Sequence, residues 1–184
     1  MIERAEYTPG PAYGAQMQKQ EGQNWTLILV RELRHSPKKV WEALTDPEHL
    51  RQWAPFDADK NLGTVGNTVK LTTVGAPTPF ITETTVTRAD APKELEYKWG
   101  GNMMRWELEP LGSGGTRLTL WTSINRHFIA MGAAGWHVSF DVMDRLLAGQ
   151  PIGRFIGPEA RNSPGFQRLH AEYAKLFGIE MPKV

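Results

Sequence analysis

The chain has 184 residues, with 21 basic and 20 acidic side chains giving a formal net charge of +1, seven tryptophans and no cysteine. Charge this balanced and evenly spread leaves no electrostatic footprint for nucleic acid or an anionic membrane, and the lack of cysteine excludes disulfides, thiolate metal sites and a thiol nucleophile. The length suits a single core, no apolar run approaches the roughly 20 residues of a membrane span, and MIERAEYTPG lacks the apolar centre of a signal peptide, so the expectation is a soluble cytoplasmic protein with one domain over 13–184.

Residues 1–12, polar and rich in Gly and Pro, read as a flexible arm. Ala15–Gln20 reads as a strand, connected through Glu21-Gly22-Gln23-Asn24 to a second strand, Trp25–Leu33, whose β-branched and aromatic residues are apolar enough at the start to be covered on both faces. Ser36-Pro37 and Asp46-Pro47 are two successive helix starts, each with a side-chain acceptor for an N-terminal N–H and a proline where no donor is needed. The first helix buries Val40, Trp41 and Leu44; the second, PEHLRQW, ends before Pro55 and carries Trp53 toward the interior. Phe56 follows it.

Asp57–Asn67 reads as a loop with two glycines. Five strand-like runs come next: Val69–Val74, Phe80–Arg88, Glu94–Trp99, Met103–Glu109 and Arg117–Ile124. Their short connections GAPTP, DAP, GGN and GSGG imply antiparallel neighbours. Alternation places Leu71, Thr73, Thr82, Thr84, Tyr97 and Trp99 on a covered face. Met104, Trp106, Leu120, Thr122 and Ile124 continue that face, with Glu83, Glu107, Glu109 and Trp121 outside.

Phe128–Ala148 reads as a long one-sided helix, because Met131, Trp136, Val138, Phe140, Val142 and Met143 fall on one arc at about 100° per residue. His137, Asp141, Asp144 and Arg145 share the other side, which reads as solvent-facing. Within the apolar arc Gly132, Gly135 and Ser139 form a notch, although a helical glycine costs about 1 kcal/mol. Either a neighbouring backbone approaches there or space is kept for a ligand. Residues 150–184 form an extension: an irregular stretch, then a Ser163-capped helix with Phe166, Leu169, His170, Tyr173 and Phe177 on one face, closed by Gly178.

No nucleophile elbow, metalloprotease helix or phosphate loop is present. His137, Asp141 and Asp144 resemble half of a metal site, but they lie on the polar face; Arg154 between two glycines reads as loop. No metal and no cofactor is expected. The constellation left is aromatic and thioether: Trp53, Phe56, Tyr97, Trp99, Met104, Trp106, Trp136, Phe140 and Met143. With the threonine hydroxyls and the glycine notch it reads as the wall of a cavity for a small hydrophobic ligand.

One strand, two short helices, a run of antiparallel strands and a long helix make an α+β domain with helices segregated from the sheet. The segments RELRHSPKKVWEALTDPEHLRQW at 31–53, MRWELEPLGSGGTRLTL at 104–120, GWHVSFDVMDRLLAG at 135–149 and YAKLFG at 173–178 resemble the START-like or Bet v 1-like (SRPBCC) helix-grip superfamily. The likeness is to its branch similar to the C-terminal domain of the activator of Hsp90 ATPase. It spans residues 25–178 and implies a curved sheet wrapped round the long helix, with a ligand cavity between them. Relatives of this fold include cyclases, so an enzyme in the same cavity is a second expectation, with Tyr97, Arg31 or His49 as its titratable groups. A chaperone-interaction module is a third, although no separate N-terminal domain for engaging the chaperone is expected in this length. Homodimerisation through the last helix or Trp121 stays open.

Overall fold

The computed structural model describes residues 3–22 and 24–181. Gln23 of the expected first connection, residues 1 and 2 of the arm and residues 182–184 of the extension lie outside the described residues. Strand β1 (Ala15–Lys19) pairs antiparallel with β2 (Asn24–Leu33). Helix α1 (Pro37–Thr45) begins where Ser36 Oγ accepts the Lys39 N–H at 3.3 Å, and α2 (Pro47–Trp53) where Asp46 Oδ1 accepts that of Glu48 at 2.9 Å. Both caps satisfy donors that the first turn leaves free.

Two of the expected boundaries change. The stretch read as loop from Asp57 begins inside a short strand, β3 (Phe56–Ala58), which pairs with β4 (Thr68–Thr73); β4 in turn pairs with β5 (Phe80–Thr85). The run Phe80–Arg88 is two strands, because the Val86 N–H bonds to the Asn67 carbonyl and that of Thr87 to Glu96. One residue step thus transfers the chain to a new partner, and β6 (Arg88–Asp90) pairs with β7 (Glu94–Trp99). The hairpin from β7 to β8 (Asn102–Pro110) turns through Gly100 and Gly101 at φ +57° and +83°, as a two-residue turn matched to strand twist requires. Strand β9 (Thr116–Asn125) completes the run.

The strands form a six-stranded sheet, β1-β2-β9-β8-β7-β6, and a three-stranded sheet, β3-β4-β5. They are stitched where the Lys98 N–H reaches Thr84 Oγ1 at 3.0 Å and Trp99 Nε1–H reaches Thr73 Oγ1 at 2.9 Å. Helix α3 (Ile129–Leu147), entered through a 3-10 turn at Arg126–Phe128, crosses the large sheet. Short α4 (Gly157–Arg161) and α5 (Pro164–Phe177) follow, α5 being capped by Ser163 and ended by Gly178 at φ +65°. Leu27, Leu29, Leu95, Met104, Trp106, Leu118 and Leu120, alternate residues of the central strands, are at most 1% exposed. Each such side chain contributes roughly 1.5–3 kcal/mol of burial. The architecture is α+β, a helix-grip fold. Among the described residues no helix is long and apolar enough to cross a membrane.

The polar side of α3 is only partly solvent-facing, contrary to the sequence expectation, with Asp141, Asp144 and Arg145 half-buried. His137 is 1% exposed, because α5 lies along this side and brings Tyr173 Oη to 2.7 Å from His137 Nδ1. Residues 4–13 pack there too. Tyr7 Oη donates to Asp141 Oδ2 at 2.5 Å, Arg145 lies over the Tyr7 ring at 5.4 Å, and Pro9 is buried with its carbonyl taken by Arg168. Asp144 Oδ1 lies 2.8 Å from His35 Nε2, within hydrogen-bond distance. The four residues that periodicity assigned to water have each found a protein partner, supplied by chain more than a hundred residues away in three cases.

Candidate functional site

The notch in α3 has two different halves. A Cβ added at Gly135 would meet nothing within 4 Å, whereas one at Gly132 would come within 2.6 Å of Ile124 Cδ1. No sheet backbone approaches either glycine that closely, so close backbone packing does not explain them. Gly135 opens instead into a cavity of about 280 Å³. Gly132, Ser139 and Trp136 form its helical wall; Trp99 and Ile124, from the ends of β7 and β9, form the sheet side. The Trp99 and Trp136 rings meet edge to face at 6.0 Å.

The remaining wall comes from the extension. After α3, Gly149 at φ +77° turns the chain back, and Arg154 pins it down, donating to the Leu50 carbonyl at 3.1 Å and to Asp57 Oδ1 at 2.5 Å. The arginine between glycines is therefore an anchor. Beyond it Phe155 and Ile156 turn into the cavity, and Ala160, Arg161 and Phe166 close it. At Gly157 the backbone comes so near the β4–β5 connection that a Cβ would sit 2.4 Å from the Gly75 carbonyl oxygen. Phe128, 49% exposed, stands at the rim.

Five of the residues singled out from the sequence line this cavity: Trp99, Gly132, Gly135, Trp136 and Ser139. Trp53, Phe56, Leu71, Tyr97, Met104, Trp106, Leu120, Phe140 and Met143 are each at most 1% exposed and fill the core beside it. Rings occupy the middle of the grip: Trp106 packs against Trp53, Trp136 and Phe140 with centroids at 6.4, 5.7 and 6.0 Å. The threonines are placed structurally. Thr84 accepts from the Lys98 backbone, Thr73 from Trp99, and Thr122 bonds to Met104 Sδ at 3.2 Å; Thr82 Oγ1 is buried without a partner among the described residues. Tyr97 Oη accepts from Trp106 Nε1 at 3.3 Å, and burial holds its phenol far above the ordinary range. Sequence reasoning placed Ile124, Met131 and Phe166 on apolar faces without assigning them to the site, and overlooked Pro55, Phe128 and the stretch Phe155–Arg161. The only signal for the latter was an apolar pair, Phe155-Ile156, inside a glycine-rich stretch.

A second polar cluster lies behind α3. Arg31, 3% exposed, donates to the Val30 and Tyr13 carbonyls and to Tyr173 Oη at 3.1 Å, under the Tyr13 ring at 4.0 Å. Tyr173 Oη also lies 3.2 Å from the Tyr13 carbonyl oxygen and 2.7 Å from His137 Nδ1, both within hydrogen-bond distance. Burial, then the positive fields of Arg31 and Arg168, pulls the His137 pKa down to about 4. Burial raises the Asp141 carboxyl, against the hydrogen bond from Tyr7 and the charges of Arg31 and Arg145. These groups clasp the extension and the N-terminal segment onto the grip. Among the described residues no three His, Asp or Glu side chains gather to hold a metal.

Comparison with known proteins agrees with this architecture. A conserved protein of unknown function from Enterococcus faecalis superposes with a TM-score of 0.64 at 18% identity, covering 91% of this chain and 92% of that one. CalU16 from Micromonospora echinospora gives 0.63 at 18% identity, over 89% and 94%. A protein from Nitrosomonas europaea gives 0.57 at 23%, over 67% of this chain and 94% of its own. At these identities the likeness is one of fold. No curated protein matches the chain. Residues 34–148 match the family described as activator of Hsp90 ATPase homolog 1-like protein, and since this segment is more than half of the 184 residues and carries α1 through α3, the chain belongs to that family, within the SRPBCC superfamily.

Proposed function

We propose that the protein binds a small hydrophobic or amphipathic molecule in the cavity at Gly135. The observation that carries this reading is the open space where a helix side chain would otherwise stand: nothing lies within 4 Å of a Cβ at Gly135. A helical glycine that serves no close contact costs stability without return, unless the space is used. The volume, about 280 Å³, is near the lower end of ligand sites. Affinity would come from apolar burial, at roughly 25 cal/mol per Å², between Trp99, Trp136, Ile124 and Phe155.

An enzymatic reading finds less support in the same place. Tyr97, Arg31 and His49 are absent from the cavity wall: Tyr97 is bonded to Trp106, Arg31 to Tyr173, and His49 sits 3.5 Å from Asp46. The family's description names an activator of a chaperone ATPase; stoichiometric retention of Hsp90 by the purified chain is the result that would place this protein with it.

The test is uptake of a neutral naphthylamine dye by the wild type and by Gly135→Leu. The leucine projects into the cavity, so the variant keeps its circular dichroism spectrum and loses the fluorescence enhancement. Undiminished dye binding in the folded variant overturns the reading.

A further inference from the structure

The cavity is apolar at its floor and carries one charge at its mouth. Its floor is Trp136 and Ser139, both buried, and the exposed members of its wall are Phe128 and Arg161. No acidic side chain lines it. The other arginines of this corner are committed. Arg4 pairs with Glu159 at 2.5 Å, Arg154 with Asp57 at 2.5 Å, and Arg168 with Glu172 at 2.6 Å, Arg168 also holding the Pro9 carbonyl. Glu159 is the acid nearest to Arg161 in sequence, two residues away on α4, and its carboxylate is already turned to Arg4. Arg161 has no ion-pair or hydrogen-bond partner among the described residues, and it is the one charged group in the wall.

Resting on the binding reading above, the geometry points to a ligand with two parts: an apolar body against Trp99, Trp136 and Ile124, and a single anionic head, such as a carboxylate, held by Arg161 at the mouth. A guanidinium offers a planar pair of donors to a carboxylate. With no competing acid in the wall, the local potential favours an anion over a neutral or cationic head. The neutral floor excludes a ligand charged at both ends, since the inner charge would be buried without a counter-ion. The ligand class is therefore a short monoanionic amphiphile rather than a plain hydrocarbon or a free inorganic anion.

The experiment compares octanoate, octanol and acetate as displacers of the neutral naphthylamine dye, using the full-length wild type and Arg161→Gln. Octanoate is expected to displace the dye at about tenfold lower concentration than octanol, with the advantage fading as salt is raised, and acetate is expected not to displace it. Arg161→Gln should weaken octanoate about tenfold more than it weakens octanol or the dye, bringing octanoate to the level of octanol. Equal potency of octanoate and octanol in the wild type overturns the anionic head while leaving the cavity reading intact, as does an octanoate affinity that Arg161→Gln does not alter. Displacement by acetate at the octanoate concentration points to a bare anion site and overturns the amphiphile. A wild type that binds neither the dye nor octanol nor octanoate overturns both readings together.

Discussion

Tyr173 Oη lies 2.7 Å from Nδ1 of His137, and through this contact the last helix covers what would otherwise be the wet side of the gripping helix. The pair sits in a chain that continues to Arg31 in β2 and to the Tyr13 carbonyl. Once α5 is held there, the segment before it is drawn over the far end of α3 and becomes the outer wall of the cavity. A contact on one side of the helix thus shapes the site on the other.

His137 makes the stability of the domain depend on pH. Its folded pKa of about 4 lies below the ordinary 6.5, so the unfolded chain takes up the proton first as the medium is acidified. The contribution is complete above pH 6.5 and is lost progressively toward about 4, amounting to at most about 3 kcal/mol. The raised Asp141 carboxyl acts in the opposite sense, its contribution being present at low pH and lost as pH rises through its folded value. It offsets part of the loss. In urea titrations the wild type should lose stability from pH ~6.5 to ~4.5, and His137→Gln should flatten that slope. Equal slopes in the two proteins would remove His137 as the cause.

The two helical glycines should respond unequally to alanine. At Gly135 the added methyl has free space, so Gly135→Ala should raise stability by roughly 0.5–1 kcal/mol through helix propensity alone. At Gly132 the methyl meets Ile124 Cδ1 at 2.6 Å, and part of the same gain is spent in turning that side chain away. Denaturation midpoints of the two variants measure the difference. A Gly132→Ala gain equal to or above that of Gly135→Ala contradicts the account.

Gly157 is required by space and by conformation together. Its φ is +64°, and a Cβ would stand 2.4 Å from the Gly75 carbonyl oxygen. Gly157→Ala should cost about 2 kcal/mol or more and weaken dye binding, because Phe155 and Ile156 move with the displaced wall. Gly149→Ala serves as the comparison: φ is +77° there but no atom lies within 4 Å, so it should cost only the conformational share, about 1 kcal/mol. Equal losses from the two would mean that the Gly75 contact contributes nothing.

What the sequence by itself determined was local. Ser36, Asp46 and Ser163 cap the helices they announce, Gly178 ends the last one, and the alternation Leu95-Tyr97 and Met104-Trp106-Leu108 gives the buried face of the sheet. Such signals act over a few residues, through hydrogen bonds to nearby backbone or through the pleat of one strand. The gap at Gly135 was legible for the same reason, since the absence of a side chain inside an apolar arc is visible without knowing what faces it.

Only the tertiary structure decided what covers each face. Periodicity assigned His137 and Asp141 to solvent because it reports which side of a helix is polar, and cannot report that Tyr173 and Tyr7 arrive from the two ends of the chain to satisfy that side. Strand alternation for Trp106 and the helical patterns for Trp53 and Phe140 placed all three inside, but whether their rings leave a hollow or fill it depends on how they stack, and they fill it. The open space was displaced toward Phe155, Ile156 and Arg161, residues in a segment without repeat or regular element up to α4, positioned by Arg154 on Asp57 and by the meeting of Gly75 with Gly157. Those contacts join residues some eighty to a hundred positions apart, beyond the reach of any pattern in a short window of sequence.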